Sequence, residues 1–305
     1  MKSIERVGVL GAGALGSMYA AMFDSATSAE VFFIAEGERR ERLERDGVIV
    51  NGAAHRIPVM DAGAPPVDLL IVALKHHHLR DALQLAPPFV GKDTLVISVM
   101  NGLRSEEIIA TVVNPEQVLP CVALGMDAVR DGNTVSYSTP GKLYVGEPTN
   151  DEPTPRVRRM QEALSAAGVP YETPPDMRRI MWWKFMINVG MNQSSAVLQQ
   201  PYGVFQNSAD AKALMDALMR EVVALARPAE VDLSEQDIIE WYAVLNSLSP
   251  EGKTSMLQDI EAGRKTEVEV FAGDVVDMGR RYAVPTPVNE TFLRLITVME
   301  EVAGR

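Results

Sequence analysis

The chain reads as an α/β protein: an N-terminal domain on a mainly parallel sheet, followed by an all-α domain. Three observations predict this. The first half alternates short apolar, β-branched stretches with mixed stretches long enough for crossover helices. The second half carries apolar residues at three- and four-residue spacing almost throughout. Near the start, the run Gly11-Ala12-Gly13-Ala14-Leu15-Gly16 joins a strand-like segment to a helix-like one.

A first strand is predicted over Val7–Leu10, and the residues from Ser17 to Phe23 are expected to be helical. Gly11 permits the tight turn, Gly13 leaves room for a pyrophosphate, and Gly16 lets helix and strand pack closely. The helix start offers unpaired N–H groups and partial positive charge to phosphates. Strand, glycine turn and helix form the dinucleotide fingerprint of a Rossmann-like domain, which makes Gly11, Ala12, Gly13, Ala14, Leu15 and Gly16 cofactor-binding candidates. Further strands are predicted over Val31–Ala35, Val67–Leu74 and Thr94–Met100. Between Val118 and Gly146, short extended pieces broken by Asp131-Gly132-Asn133 and Thr139-Pro140-Gly141 predict antiparallel strands added to the sheet. A helix over Arg156–Ala167 and an extended piece over Val169–Thr173 complete the domain. Pro174-Pro175 interrupts regular structure and sets the boundary, giving a dinucleotide-binding domain over residues 1–174 and a helical substrate-binding, catalytic domain over 175–305. Helices are predicted around Arg179–Leu198, Ala209–Ala226, Ser234–Leu248, Ser255–Ala262 and Glu267–Tyr282. Two such domains leave a cleft in which substrate meets cofactor.

A formal net charge of −12 argues against a surface for nucleic acid or an anionic membrane. It suits a protein that holds anionic ligands in a focused pocket. The single cysteine, Cys121, excludes an intrachain disulfide framework and reads as a small buried apolar side chain. No apolar run reaches the length of a membrane span and the first residues lack a signal-peptide layout, so a cytoplasmic protein is expected. The side chains of His76-His77-His78 diverge in either helix or strand, and no metal site is predicted.

Glu36 stands about 20 residues after Gly16, where a fingerprint acid bonds the ribose hydroxyls of the cofactor. A carboxylate there accepts from a free 2′-OH and repels a 2′-phosphate, which favours NAD(H). Arg39, Arg40 and Arg42 close by pull the other way; a solvated loop acid is the plain alternative. Lys75 and Asn101 follow apolar strands at their carboxyl ends, where open sheets bind ligands. In Met181-Trp182-Trp183-Lys184-Phe185-Met186-Ile187-Asn188-Val189-Gly190-Met191-Asn192, the residues Lys184, Asn188 and Asn192 are four apart and share one helix face. That stripe either faces solvent or meets a ligand. Desolvation would lower the lysine pKa and make it a better proton donor.

These pieces resemble the ketopantoate reductase (2-dehydropantoate 2-reductase) family over nearly the whole chain. The resemblance runs from the glycine turn through Leu74-Lys75, Asn101-Gly102, Trp183-Lys184 with Asn188 and Asn192, to Ser255-Met256-Leu257-Gln258-Asp259 and Thr266-Glu267. It implies NADP(H) as cofactor and Lys184 as donor of the proton to the ketone. It also implies that Asn188 and Asn192 hold polar groups of the substrate and Ser255 its carboxylate. Glu267 would contact the cofactor near the nicotinamide, with Lys75, Asn101 and Ala128 along it. Two positions depart from the family pattern: Ala35-Glu36-Gly37, where members often carry an arginine for the 2′-phosphate, and Pro201-Tyr202-Gly203, where an asparagine often contacts substrate. The implied function is reduction of a 2-keto acid, 2-dehydropantoate to pantoate for coenzyme A synthesis. Glu36 and Tyr202 motivate a second reading, an NADH-linked reductase of another branched or aromatic 2-keto acid, similar to a mandelate dehydrogenase. A nicotinamide-sensing protein without chemistry is a third, and the presence of both Lys184 and Glu267 argues against it. The expected partner is a small-molecule keto acid, with no nucleic acid and no membrane; the apolar helical domain is compatible with a homodimer.

Overall fold

Strand β1 (Arg6–Leu10) leads through the glycine turn into α1 (Ala14–Ala26), and β2 (Glu30–Ile34) with α2 (Gly37–Asp46) repeats the unit. A hairpin of β3 (Val48–Val50) and β4 (Ala53–His55) follows. Then come β5 (Val67–Val72), α3 (His76–Ala82), β6 (Val90–Ser98) and α4 (Ser105–Ile109). The computed structural model describes residues 3–304. In it β2, β1, β5 and β6 lie side by side in that order as one parallel sheet. Apolar clusters cover both of its faces, which is why these strands read as continuous apolar runs rather than alternating ones. The pairing register sets Ile34, Leu10, Val72 and Ser98 in one row, so the four strands end together.

The β3–β4 hairpin turns on Asn51 (φ 47°) and Gly52 (φ 82°). Positive φ at both central residues is the type I′ geometry that Asn-Gly favours. The strands after Val118 differ from the sequence expectation. β7 (Cys121–Met126), β8 (Val129–Asp131), β9 (Thr134–Ser136) and β10 (Pro140–Val145) do not extend the parallel sheet. β7 pairs antiparallel with β10, whose other edge takes β11 (Tyr171–Glu172); the β8–β9 hairpin joins β3 and β4 instead. Gly125 (φ 78°) and Gly141 (φ 65°) face each other in the β7–β10 ribbon, and a Cβ on Gly141 would press on Met126 N at 2.6 Å.

Helix α5 (Pro155–Ala166) starts with the Thr154 side chain accepting from Val157 N–H and with Pro155 in the first turn, both strong helix-start signals. Its Arg159 is buried and donates to Asp68 Oδ1 (3.3 Å) and the Asp93 carbonyl (2.7 Å), tying helix to sheet.

The chain divides into two compact units, residues 1–180 and 181–305. The proline pair is held by the first unit: Asn150 donates its side-chain amide to the Pro174 carbonyl and its backbone N–H to that of Pro175, each at 2.8 Å. The division between the two units falls after Ile180, inside α6 (Met177–Ile187). The second unit is helical, with α7 (Gln193–Leu198), α8 (Tyr202–Asn207), α9 (Ala209–Ala226), α10 (Glu235–Ser247), α11 (Ser255–Glu261), α12 (Ala272–Tyr282) and α13 (Pro287–Val302). The helix expected over Glu267–Tyr282 is interrupted. A 3₁₀ turn over Val268–Val270 precedes Phe271, whose φ of −110° and ψ of −89° are not helical, and α12 starts only after it.

Candidate functional site

The common end of the parallel strands gathers the first unit's predicted residues. Past β1 lies the glycine turn, past β2 Glu36, past β5 Lys75 and past β6 Asn101. Four neighbouring strands thus each deliver one candidate to the same edge of one sheet. Lys75 and Asn101 are half-buried, and Lys75 immediately precedes α3. Glu36 is exposed and precedes α2 without a side-chain bond to the helix. Ala128, between β7 and β8, is half-buried.

The three glycines of the turn are required for different reasons. Gly11 has φ 108°, and any Cβ there would run into the Ala73 carbonyl. A Cβ on Gly16 would collide with the Gly11 carbonyl oxygen, so the α1 start could not pack on the turn. Gly13 has an ordinary φ of −81°, and the nearest atom to a Cβ would be the Ala73 carbonyl oxygen at 3.8 Å. Unlike Gly11 and Gly16, Gly13 meets no described protein atom that would bar a Cβ, and its backbone is open to close approach. Gly13 caps α1 without a side chain, and the first turn of α1 holds no acid. The helix start is therefore a pure N–H surface with positive partial charge, which suits a pyrophosphate.

In the second unit, Lys184 lies near the end of α6 and is half-buried, whereas Asn188 and Asn192 are buried (9% and 8% exposed). The helix does not keep an α winding through them: Asn188–Asn192 forms one π-helical turn between α6 and α7. Such turns are uncommon and recur at functional sites. Asn192 donates its amide to Asn188 Oδ1 at 3.4 Å, and Asn188 Nδ2 is enclosed without a hydrogen-bond partner. A buried amide hydrogen without an acceptor is costly unless a ligand supplies one. The stripe therefore faces the protein interior, not solvent. α11 packs on α7 and on the π turn, bringing the helix that begins with Ser255 to the same region. Ser255 itself is exposed, beside Thr254, whose hydroxyl caps α11 by accepting from Leu257 N–H (3.1 Å). Glu267 is buried (5% exposed), and its neighbour Thr266 is fixed by Glu300, which accepts both the backbone N–H and the hydroxyl.

Three contributors escape the spacing argument. Gly190, within the π turn, lies against Met219 and the Met215 carbonyl of α9 and admits no side chain. Gln193 donates to the Val189 carbonyl (2.8 Å) and Asn289 (3.1 Å) and accepts from Ala272 N–H (3.1 Å), which locks the end of the π turn. Glu300 supports the Thr266-Glu267 segment from a helix more than thirty residues on. The glycine inside an apolar helix was a visible signal for the first; nothing local marks the other two. Tyr202 begins α8 with its backbone N–H donated to the Gly252 carbonyl (3.0 Å), and its ring fills the space where a Cβ on Gly252 would stand. It thereby packs on the turn that leads to Ser255.

Comparison with known proteins matches both units. The model for "Ketopantoate reductase PanE/ApbA" matches residues 7–150, and that for "Ketopantoate reductase PanE/ApbA C terminal" matches residues 176–300. A 2-dehydropantoate 2-reductase of Archaeoglobus fulgidus is 28% identical over 304 residues, covering 97% of this chain and 98% of that protein. A crystal structure of 2-dehydropantoate 2-reductase from Geobacter metallireducens is 26% identical with a TM-score of 0.85, over 96% of this chain and 99% of that one. A D-mandelate dehydrogenase in ternary complex with NADH and anilino(oxo)acetate gives a TM-score of 0.89 at 21% identity, over 98% and 99% of the two chains; at that identity the likeness is one of fold. With both family models matched in order along the chain, the chain belongs to the ketopantoate reductase family of oxidoreductases.

Proposed function

We propose that the chain reduces a 2-keto acid, 2-dehydropantoate to pantoate in the route to coenzyme A, with Lys184 as the proton donor. The observation that carries this is the π turn: it buries two amides one turn beyond a lysine, with an amide donor left for a ligand. The cofactor, when bound, supplies hydride to the ketone carbon. Negative charge then grows on the carbonyl oxygen, where the Lys184 ammonium both stabilises it and delivers the proton. Asn188 and Asn192 orient the substrate's polar groups, and Ser255 takes its carboxylate. In the first unit the turn Gly11–Gly16 and the α1 start hold the pyrophosphate. Lys75, Asn101 and Ala128 flank the cofactor, and Glu267 of the second unit contacts its nicotinamide end. NADP(H) is the cofactor by family, with NAD(H) the alternative that Glu36 raises. A homodimer is the proposed assembly, the state named for a ketopantoate reductase of Staphylococcus aureus with this fold.

A second reading rests on Tyr202. Its ring occupies space beside the turn before Ser255, which changes the pocket and favours another branched or aromatic 2-keto acid, as in the mandelate dehydrogenases. Initial rates with NADPH and NADH, on 2-dehydropantoate and on phenylglyoxylate, decide between them. Faster turnover of 2-dehydropantoate supports the first reading. Slow turnover of it beside fast turnover of the aromatic acid selects the second. Cofactor binding without reduction of any keto acid would replace both with a nicotinamide sensor.

A further inference from the structure

The π turn keeps its winding through one side chain. Gln193 closes the turn with its backbone N–H on the Gly190 carbonyl, so the Val189 carbonyl does not receive the N–H that an α winding would send it. The Gln193 side-chain amide takes that place, donating to the Val189 carbonyl at 2.8 Å. It also donates to Asn289 Oδ1 (3.1 Å), and its oxygen accepts from Ala272 N–H (3.1 Å). Both donors and the acceptor of this fully buried amide are in use.

The network continues away from the substrate amides. Asn289, in the first turn of α13, donates its side-chain amide to Glu221 Oε2 (2.8 Å) and to the Leu218 carbonyl (3.3 Å). Glu221, buried on α9, also accepts the backbone N–H groups of Val288 (2.8 Å) and Asn289 (2.9 Å), two donors that a helix start leaves open. The carboxylate only accepts, and the Ala272 N–H only donates. With both ends of fixed polarity, neither amide between them can turn over without setting N–H against N–H or oxygen against oxygen. One buried network with a single arrangement thus joins α9, the π turn, α12 and α13. In the chain Asn188 directly precedes Val189, and Asn192 directly precedes Gln193. The winding that the network holds is therefore the one that sets how the two substrate amides stand to each other. Without the Gln193 amide, the Val189 carbonyl draws the Gln193 N–H instead, and the turn relaxes toward an α winding.

We infer that Gln193 is a positioning residue for the substrate: it holds Asn188 and Asn192 in place for the keto acid, and Asn289 and Glu221 act on substrate affinity through it. The inference rests on the keto-acid reading of the second unit. Its test is steady-state kinetics of the full chain with 2-dehydropantoate and with phenylglyoxylate, beside melting temperatures. Gln193→Met keeps the length of the side chain and removes its hydrogen bonds. KM for the keto acid that wild type reduces rises about tenfold or more, while kcat changes less than about threefold and cofactor KM less than about twofold. Asn289→Ala, at a residue that hydrogen-bonds neither substrate amide among the described residues, raises KM in the same direction. It also decides the matter if Gln193→Met does not fold. Ile238→Ala, a core truncation on α10 outside the network, lowers the melting temperature and leaves KM in place. A lowered melting temperature with KM unmoved in both network variants overturns the positioning role. So does a fall in kcat alone, which would put the effect on proton delivery. KM raised by Gln193→Met but not by Asn289→Ala overturns the part given to Asn289 and Glu221. Wild type that reduces neither acid removes the keto-acid reading and this inference with it.

Discussion

Gly190 and Met219 meet with no room between them for a methyl group. A Cβ on Gly190 would stand 2.6 Å from Met219 Cε and closer still to Cγ, with the Met215 carbonyl oxygen at 3.0 Å behind. The π turn that carries Asn188 and Asn192 is thus pressed onto the backbone of α9. Gly190→Ala forces Met219 and that backbone apart, and overpacking of this kind costs about 1–3 kcal/mol. Denaturant unfolding of the variant checks it, and a variant as stable as wild type would mean that the turn is not held by this contact.

The glycine turn gives a two-sided test. Gly13→Ala meets no protein atom closer than 3.8 Å at an ordinary φ, so its melting temperature stays near wild type while dinucleotide affinity falls about tenfold or more. Gly16→Ala collides with the Gly11 carbonyl and lowers the melting temperature itself. Equal loss of stability in both variants would show that Gly13 serves packing rather than a ligand.

This contrast also shows where the sequence was sufficient. The four strand ends, the glycine turn and the helices of the second half follow from periodicity and turn chemistry, which act over a few residues. The sequence pattern cannot convey partner choice at longer range. The strands after Val118 pair with one another and with β3 instead of joining the parallel sheet, and Gly125 meets Gly141 across the β7–β10 ribbon. Lys184, Asn188 and Asn192 were placed on one face by ideal α spacing, yet the helix rewinds there as a π turn, held by Gly190 against α9 and by Gln193. The Asn51-Gly52 hairpin carries its turn signal in the two residues themselves, both at positive φ.

Glu300 holds Thr266 by its backbone N–H (2.7 Å) and hydroxyl, in a buried setting beside Glu267. Glu300→Ala strands both donors and costs about 1–3 kcal/mol. Glu300→Gln keeps an acceptor oxygen and recovers much of it. Thermal unfolding of the two variants provides the check, and identical losses would contradict the hydrogen-bond account.

Glu147 accepts from Arg156 Nε (2.7 Å) and Nη2 and from the Thr154 hydroxyl (2.7 Å). The hydrogen bond from Arg156 holds its carboxyl below the usual 4.5, against the opposing effect of burial. A carboxylate with a depressed folded pKa stabilises the fold above its unfolded value, and that contribution is lost as pH falls through the folded value. Wild type should exceed Glu147→Gln by about 1 kcal/mol at neutral pH, with the gap closing as pH falls below the ordinary carboxylate range. A gap independent of pH would point to packing instead.

The central claim is that Lys184 gives the proton that completes ketone reduction. The most direct measurement is kcat for 2-dehydropantoate, at saturating cofactor, of Lys184→Ala against wild type. A fall of about 10²–10⁴-fold with cofactor affinity unchanged is the predicted result. A variant that keeps kcat within about twofold of wild type contradicts it, since the loss of a proton donor cannot be that mild.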